Sequence, residues 1–163
     1  MRRTTDVLIA LCAFAFIVVL AIAAYWDPTI RVLHFFEAVP YLAAAILCLR
    51  RIRFGYPIGA VSGAFWLWSA TFLTTFVRNG FERLSMLLHT GHVDRPDILI
   101  AAPGAIACGG LLLFSLAGYL QQPAKSGRDA ALFLAAFVLV SAFFLAIFAV
   151  FAPQYLGMFR RLY

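Results

Sequence analysis

Arg31, His34, Glu37 and Tyr41 follow one another at three- and four-residue steps inside an otherwise apolar stretch. On a helix turning 100° per residue, with Arg31 at zero, His34 falls at about 300°, Glu37 at about 240°, Tyr41 at about 280° and Cys48 at about 260°. The five side chains share one arc of roughly 120°, and Val32, Leu33, Phe36 and Val39 are expected to point elsewhere. An ionisable group two turns inside an apolar span is costly against lipid, so this face belongs against protein, a partner or a water-filled cavity.

Two chemistries suit the set. Glu37 and His34, at i and i+3, have the spacing to share a proton or a cation, and the group could equally hold the polar end of a lipid-soluble ligand such as a quinone. The bland alternative is that Arg31, His34 and Glu37 satisfy one another, with Arg31 snorkelling outward, and merely fix helix packing. In that case Glu37→Ala costs about 1 kcal/mol or more by stranding a polar partner. His34 has no second intramembrane histidine for a bis-histidine haem site, and the sequence names no cofactor.

A second polar set, His89-Thr90-Gly91-His92-Val93-Asp94, holds two imidazoles and a carboxylate, ligand types that suit zinc or copper. His89, His92 and Asp94 lack the fixed HExxH geometry, and a solvated turn bent at Gly91, with Asp97 capping the next helix, explains the same residues. Cys12, Cys48 and Cys108 lie far apart without a CxxC, so they read as small buried thiols.

The elements that must carry these groups follow from composition. Of 163 residues, 64% are hydrophobic and 12% charged. A soluble domain is roughly half apolar and a quarter charged, so the solvent for most of this chain is lipid, which excludes a soluble enzyme and a disordered tail. The net charge of +6 is carried at the ends of apolar runs, where bases meet headgroups and set topology; nucleic acid is not the expected partner.

Five apolar segments, about residues 7–26, 29–49, 57–77, 97–119 and 129–152, approach the roughly 20 residues that cross a bilayer as a helix. They are too long, and lack the alternation, for barrel strands. The expectation is therefore a single all-α integral membrane domain with five transmembrane helices. Pro40 should kink the second, and the loop 78–96 should hold a short interfacial helix bearing Phe81, Leu84 and Leu88, with Arg78 and Glu82 one turn apart. A cleaved signal peptide competes for the first segment, given Met1-Arg2-Arg3 and Ala21-Ile22-Ala23, but its apolar run exceeds the usual h-region. A short amphipathic tail, Phe159 to Tyr163, follows the last segment.

Small residues predict the packing. Gly59 and Gly63, with Gly55 before them, and Ala101, Ala105 and Gly109 form stripes that should let the third and fourth segments approach closely, or join two copies. In the fifth, Ala135, Ala142, Ala146 and Ala149 are expected to face protein, and Phe137, Phe144, Phe148 and Phe151 lipid or a partner. Trp66 and Trp68 read as core filling, with Thr71, Thr74 and Thr75 as local acceptors for their N–H groups.

With the N-terminus inside, seven bases (Arg2, Arg3, Arg50, Arg51, Arg53, Lys125, Arg128) face in and six (Arg31, Arg78, Arg83, Arg95, Arg160, Arg161) face out. The tight clusters beside short loops fall on the inner side, which predicts a cytoplasmic N-terminus and an outer C-terminus in a bacterial plasma membrane. Few polar residues and abundant packing stripes favour an accessory or interaction subunit, as a homo-oligomer or beside another membrane subunit. The alternatives are an oligomeric transport or binding protein using the second helix, and a lipid-modifying enzyme using His89, His92 and Asp94. No nucleophile with a nearby base supports the last.

Overall fold

The structure is a computed structural model that describes residues 2–123 and 126–159. Among the described residues every regular element is helical. α1 (Arg2–Trp26) is joined by a short 3₁₀ turn, Pro28–Ile30, to α2 (Arg31–Leu49). α3 (Gly55–Trp68) widens into a π turn, Ser69–Leu73, before α4 (Phe76–Thr90). The one-turn α5 (Pro96–Leu99), α6 (Ala101–Leu120), α7 (Gly127–Phe151) and α8 (Pro153–Phe159) complete the chain. Arg160 to Tyr163, which form most of the expected amphipathic tail, and Met1 and Lys125, used in reading the termini and orientation, lie outside the described residues.

Four helices, Arg3–Trp26, Pro28–Leu49, Pro96–Leu120 and Gly127–Phe151, are long and apolar enough to cross a membrane. Gly55–Leu73 and Phe76–Thr90, bent by 82°, make a fifth crossing when counted as one. Large apolar side chains face outward along these helices, among them Leu11, Phe35, Ile106 and Val150, each more than half exposed. A surface of this kind is untenable in water and fits a small integral membrane protein.

α1 packs on α2 and α6, and α3 lies against α2, α6 and α7. α1 offers Ile9, Ala13, Phe16 and Leu20, spaced three or four apart, to the core. Phe16 meets Tyr41 of α2 at 4.5 Å and the edge of Trp66 of α3 at 4.9 Å between ring centroids. α2 runs unbroken through Pro40, whose ring is buried.

The α3–α6 contact rests on missing side chains. A Cβ added at Gly59 would collide with Ser115 Oγ, and one at Gly63 would sit 2.7 Å from the Cys108 carbonyl oxygen. On α6, Ala105 is buried, but a Cβ at Gly109 would meet nothing within 4 Å. The close glycine there is Gly110, whose added Cβ would lie 2.8 Å from Cys12 Sγ on α1. The expected stripe is thus displaced by one residue at its end, because α6 must serve α1 as well as α3.

α7 reverses the expectation for its alanines and for half of its phenylalanines. Ala135, Ala142, Ala146 and Ala149 are exposed, and Phe144 and Phe148 are buried, while Phe137 and Phe151 are exposed as expected. Phe65 of α3 stacks on Phe144 at 4.6 Å. α7 flanks α3 without the close approach that glycines permit, and aromatic rings fill the gap.

The short helix expected within the loop 78–96 is present and longer than expected. α4 begins at Phe76 and docks on the start of α6 through Gly80, whose added Cβ would lie 2.7 Å from Ala101 Cβ and 2.9 Å from the Ala102 nitrogen. Arg78 Nε donates to Glu82 Oε1 at 3.0 Å, the contact its spacing predicts.

Candidate functional site

The two ends of the bundle are built differently. At the end where α1, α3 and α7 begin, polar groups close on one another. Tyr56 Oη donates to Asp6 Oδ1 at 2.6 Å, and Asp6 is 3% exposed. Arg53 lies 3.6 Å from Asp129 and donates to the Pro123 carbonyl at 3.0 Å. Asp129 and Ser126 form a reciprocal capping box at the start of α7.

At the opposite end the same kinds of residue surround a space of about 360 Å³. Asp27 opens the 3₁₀ turn, its Oδ1 accepting from Thr29 Oγ1 at 2.6 Å and Thr29 N at 2.9 Å. Those two bonds hold its carboxyl below the usual carboxylate range, so a negative charge stands at the mouth. One turn into α2, His34 Nδ1 lies 3.2 Å from the Ile30 carbonyl oxygen. A carbonyl only accepts, so Nδ1 carries a proton, and in the neutral ring Nε2 presents a lone pair.

Glu37 lies one turn deeper and is 6% exposed. Its Oε2 is 4.0 Å from His34 Nε2, beyond hydrogen-bond reach, and the carboxyl accepts no hydrogen bond among the described residues. The groups that face it across the cavity come from the broken end of α3. There the π turn passes into Thr74, which is extended at φ −127° and ψ 170°. Such interruptions free backbone groups and recur at binding sites.

Two of the hydroxyls nearby already have acceptors. Ser69 Oγ donates to the Trp66 carbonyl at 3.0 Å, and Thr74 Oγ1 donates to the Ala70 carbonyl at 3.1 Å. Asn79 Nδ2 donates to Thr75 Oγ1 at 3.0 Å. Trp66, Leu73 and Phe76 supply apolar wall, and Phe148 and Tyr155 close the far side. Burial, with the carboxylates of Glu37 and Asp27 in range, raises the Tyr155 hydroxyl above its ordinary value. Asp97 completes the rim, gripped by Arg95 at 3.0 and 2.7 Å. It stands inside the one-turn α5 rather than capping α6, whose preceding residue is Ile100.

The four residues singled out on α2 therefore part company. His34 and Glu37 line the cavity. Arg31 is exposed, its Nε 3.4 Å from the Ala24 carbonyl, and lines a second groove beside Tyr25 and Phe35 that His34 also borders, but it does not line the cavity. Tyr41 is fully buried at mid-bundle and donates to the Ser62 carbonyl at 3.2 Å. The buried arc of α2 includes Leu33, Pro40 and Ala44, so it is centred near Glu37 and leaves Arg31 at its edge.

The other polar set is not drawn together. His89 Nδ1 turns back to the Ser85 carbonyl at 2.7 Å, His92 is exposed, and Asp94 Oδ1 lies 2.8 Å from Arg83 Nε. Among the described residues no three His, Cys, Asp or Glu side chains are placed to hold one metal ion. Trp66 is buried and Trp68 is 39% exposed, so core filling describes the first only.

Sequence reasoning did not find Asp27, Asp97, Asn79 or Tyr155 as cavity residues. The only signal was the run of hydroxyls Ser69, Thr71, Thr74 and Thr75 at the end of an apolar segment. No protein-family model, curated protein or solved structure matches the chain.

Proposed function

We propose that this chain is a non-enzymatic integral membrane protein that binds a small molecule between the start of α2 and the broken end of α3. One observation carries the reading: the Glu37 carboxyl is buried, accepts no hydrogen bond among the described residues, and opens on a cavity. Its polar end meets the cavity rather than a protein donor, and ionisable groups set this deep in an apolar span gather where a ligand or a water-filled pathway meets them. The cavity volume falls in the range of small-molecule sites, about 300–1,000 Å³. An accessory-subunit role, with this chain beside another subunit or a second copy, accounts for the packing stripes but not for Glu37.

In the same proposal α3 is the fifth crossing and α4 lies along the membrane surface. From Tyr56 beside Asp6, α3 and its π turn lead to Thr74, which shares the cavity with Asp27, so together they run the length of the bundle. Arg3, Arg50, Arg51, Arg53 and Arg128 gather at the closed end against two acids, Asp6 and Asp129. The open end has Arg31, Arg78, Arg83 and Arg95 against Asp27, Glu82, Asp94 and Asp97. The positive excess at the closed end makes it the cytoplasmic one, and the cavity then opens to the outer side.

The test is the melting temperature of purified Glu37→Gln. A residue kept for binding is not optimised for stability, so the variant should melt at or above the parent temperature. A fall of several degrees would return Glu37 to a structural role and remove the basis of the proposal.

A further inference from the structure

We propose that the ligand is a small protonated amine with an apolar body, its ammonium group seated between Glu37 and His34; this rests on the ligand-binding reading above. Ser69, Thr74, Asn79 and His34 Nδ1 all direct their protons to acceptors within the protein. At the base of the cavity stand the Glu37 carboxyl and, in the neutral ring, the His34 Nε2 lone pair, 4.0 Å apart, which a single ammonium group can satisfy together. A quinone or another carbonyl ligand brings only acceptors and would leave the imidazole lone pair unmet.

Charge and distance agree. Neither Lys nor Arg lines the cavity, while Asp27, Glu37 and Asp97 do, and only Asp97 is held by an arginine. Glu37 Oε2 and His34 Nε2 stand 4.0 Å apart. A nitrogen about 2.8 Å from each would subtend an angle near 90°, within reach of two N–H bonds of one ammonium group. A bare metal ion would need more ligating groups than this pair offers, and the walls are wrong for one. Trp66, Leu73, Phe76 and Phe148 present apolar and aromatic surface, which suits the body of an organic amine and the positive charge beside it.

The experiment is calorimetric titration of the purified full-length chain with phenethylamine, with 3-phenylpropan-1-ol as a neutral analogue and phenylacetate as an anionic one. Phenethylamine is expected to bind, with the other two weaker by on the order of tenfold or more, as for loss of a charge-assisted bond. Glu37→Gln should remove that preference. Asp27→Asn, at the exposed mouth, should weaken amine binding less, and gives a second readout if Glu37→Gln does not fold. Arg31→Gln, in the neighbouring groove, should leave it unchanged.

Equal binding of amine and alcohol, or an amine affinity that survives Glu37→Gln, overturns the amine assignment and leaves the ligand-binding reading standing. Ser69→Cys separates the remaining cases. If no compound binds but this cysteine reacts with a cationic methanethiosulfonate, the cavity is open and the amine assignment alone falls. If no compound binds and the cysteine is inert to cationic and anionic reagents alike, the ligand-binding reading itself is lost.

Discussion

Asp6 and Glu37 are both buried carboxyl groups on apolar helices, and the protein treats them in opposite ways. Asp6 receives the Tyr56 hydroxyl at 2.6 Å and sits at the end of the bundle where Arg53, Asp129 and the start of α7 also close on one another. Glu37 receives no hydrogen bond among the described residues and faces a cavity in which the Ser69 and Thr74 hydroxyls are turned to backbone carbonyls. A satisfied buried group holds structure together, whereas an unsatisfied one beside a cavity is held in place by the fold for something else to complete.

Substitutions at the two ends should therefore differ in size and in sign. The largest loss is expected from Tyr56→Phe, which removes the donor and leaves Asp6 buried and unpaired. Leaving a buried acceptor unsatisfied costs roughly 1–3 kcal/mol, and the fall in melting temperature measures it; a change below a degree would show that this end does not depend on the Tyr56–Asp6 bond. Next is Asp129→Ala, which removes the α7 capping box and the Arg53 contact. Losing a helix cap alone costs about 1 kcal/mol, and amide exchange in the first turn of α7 should rise. An unaltered exchange rate would show that the cap is not holding that turn.

Gly59→Ala follows. Its Cβ meets a serine hydroxyl that can rotate, so the expected cost is about 1 kcal/mol, smaller than for Gly63→Ala, whose Cβ meets backbone. Reversal of that order would mean that α3 and α6 separate more freely than their packing implies. At the open end Glu37→Gln should cost nothing, and of all the substitutions this one sharpens the contrast most. Asp27→Asn, fully solvent-exposed, is expected to alter stability least and to act on ligand affinity instead.

The α2 pattern shows how far periodicity reaches. Helical spacing put His34, Glu37, Tyr41 and Cys48 on one side, and each is at least half withdrawn from the surface. It also put Arg31 in the set and Leu33 outside it, and both are reversed. The angular position of a residue is a property of one helix, but the centre of the buried face depends on where α1, α3 and α7 stand around it. The alanines and phenylalanines of α7 make the same point. Small residues favour close packing only where a neighbour comes close, and α3 approaches α7 at a distance that Phe65 and Phe144 bridge.

Composition and hydropathy alone determined that the chain is helical and belongs in lipid, because backbone groups in hydrocarbon must be satisfied within each segment. Local spacing likewise fixed the Arg78–Glu82 contact and the short approach at Gly59 and Gly63, since these depend on neighbours one turn away or on the absence of a side chain. Only the tertiary structure decided that α3 breaks at Ser69–Leu73, and that Asp27, Asp97 and Tyr155, far apart in sequence, surround Glu37. A cavity is space left between elements, and no single element's sequence encodes it.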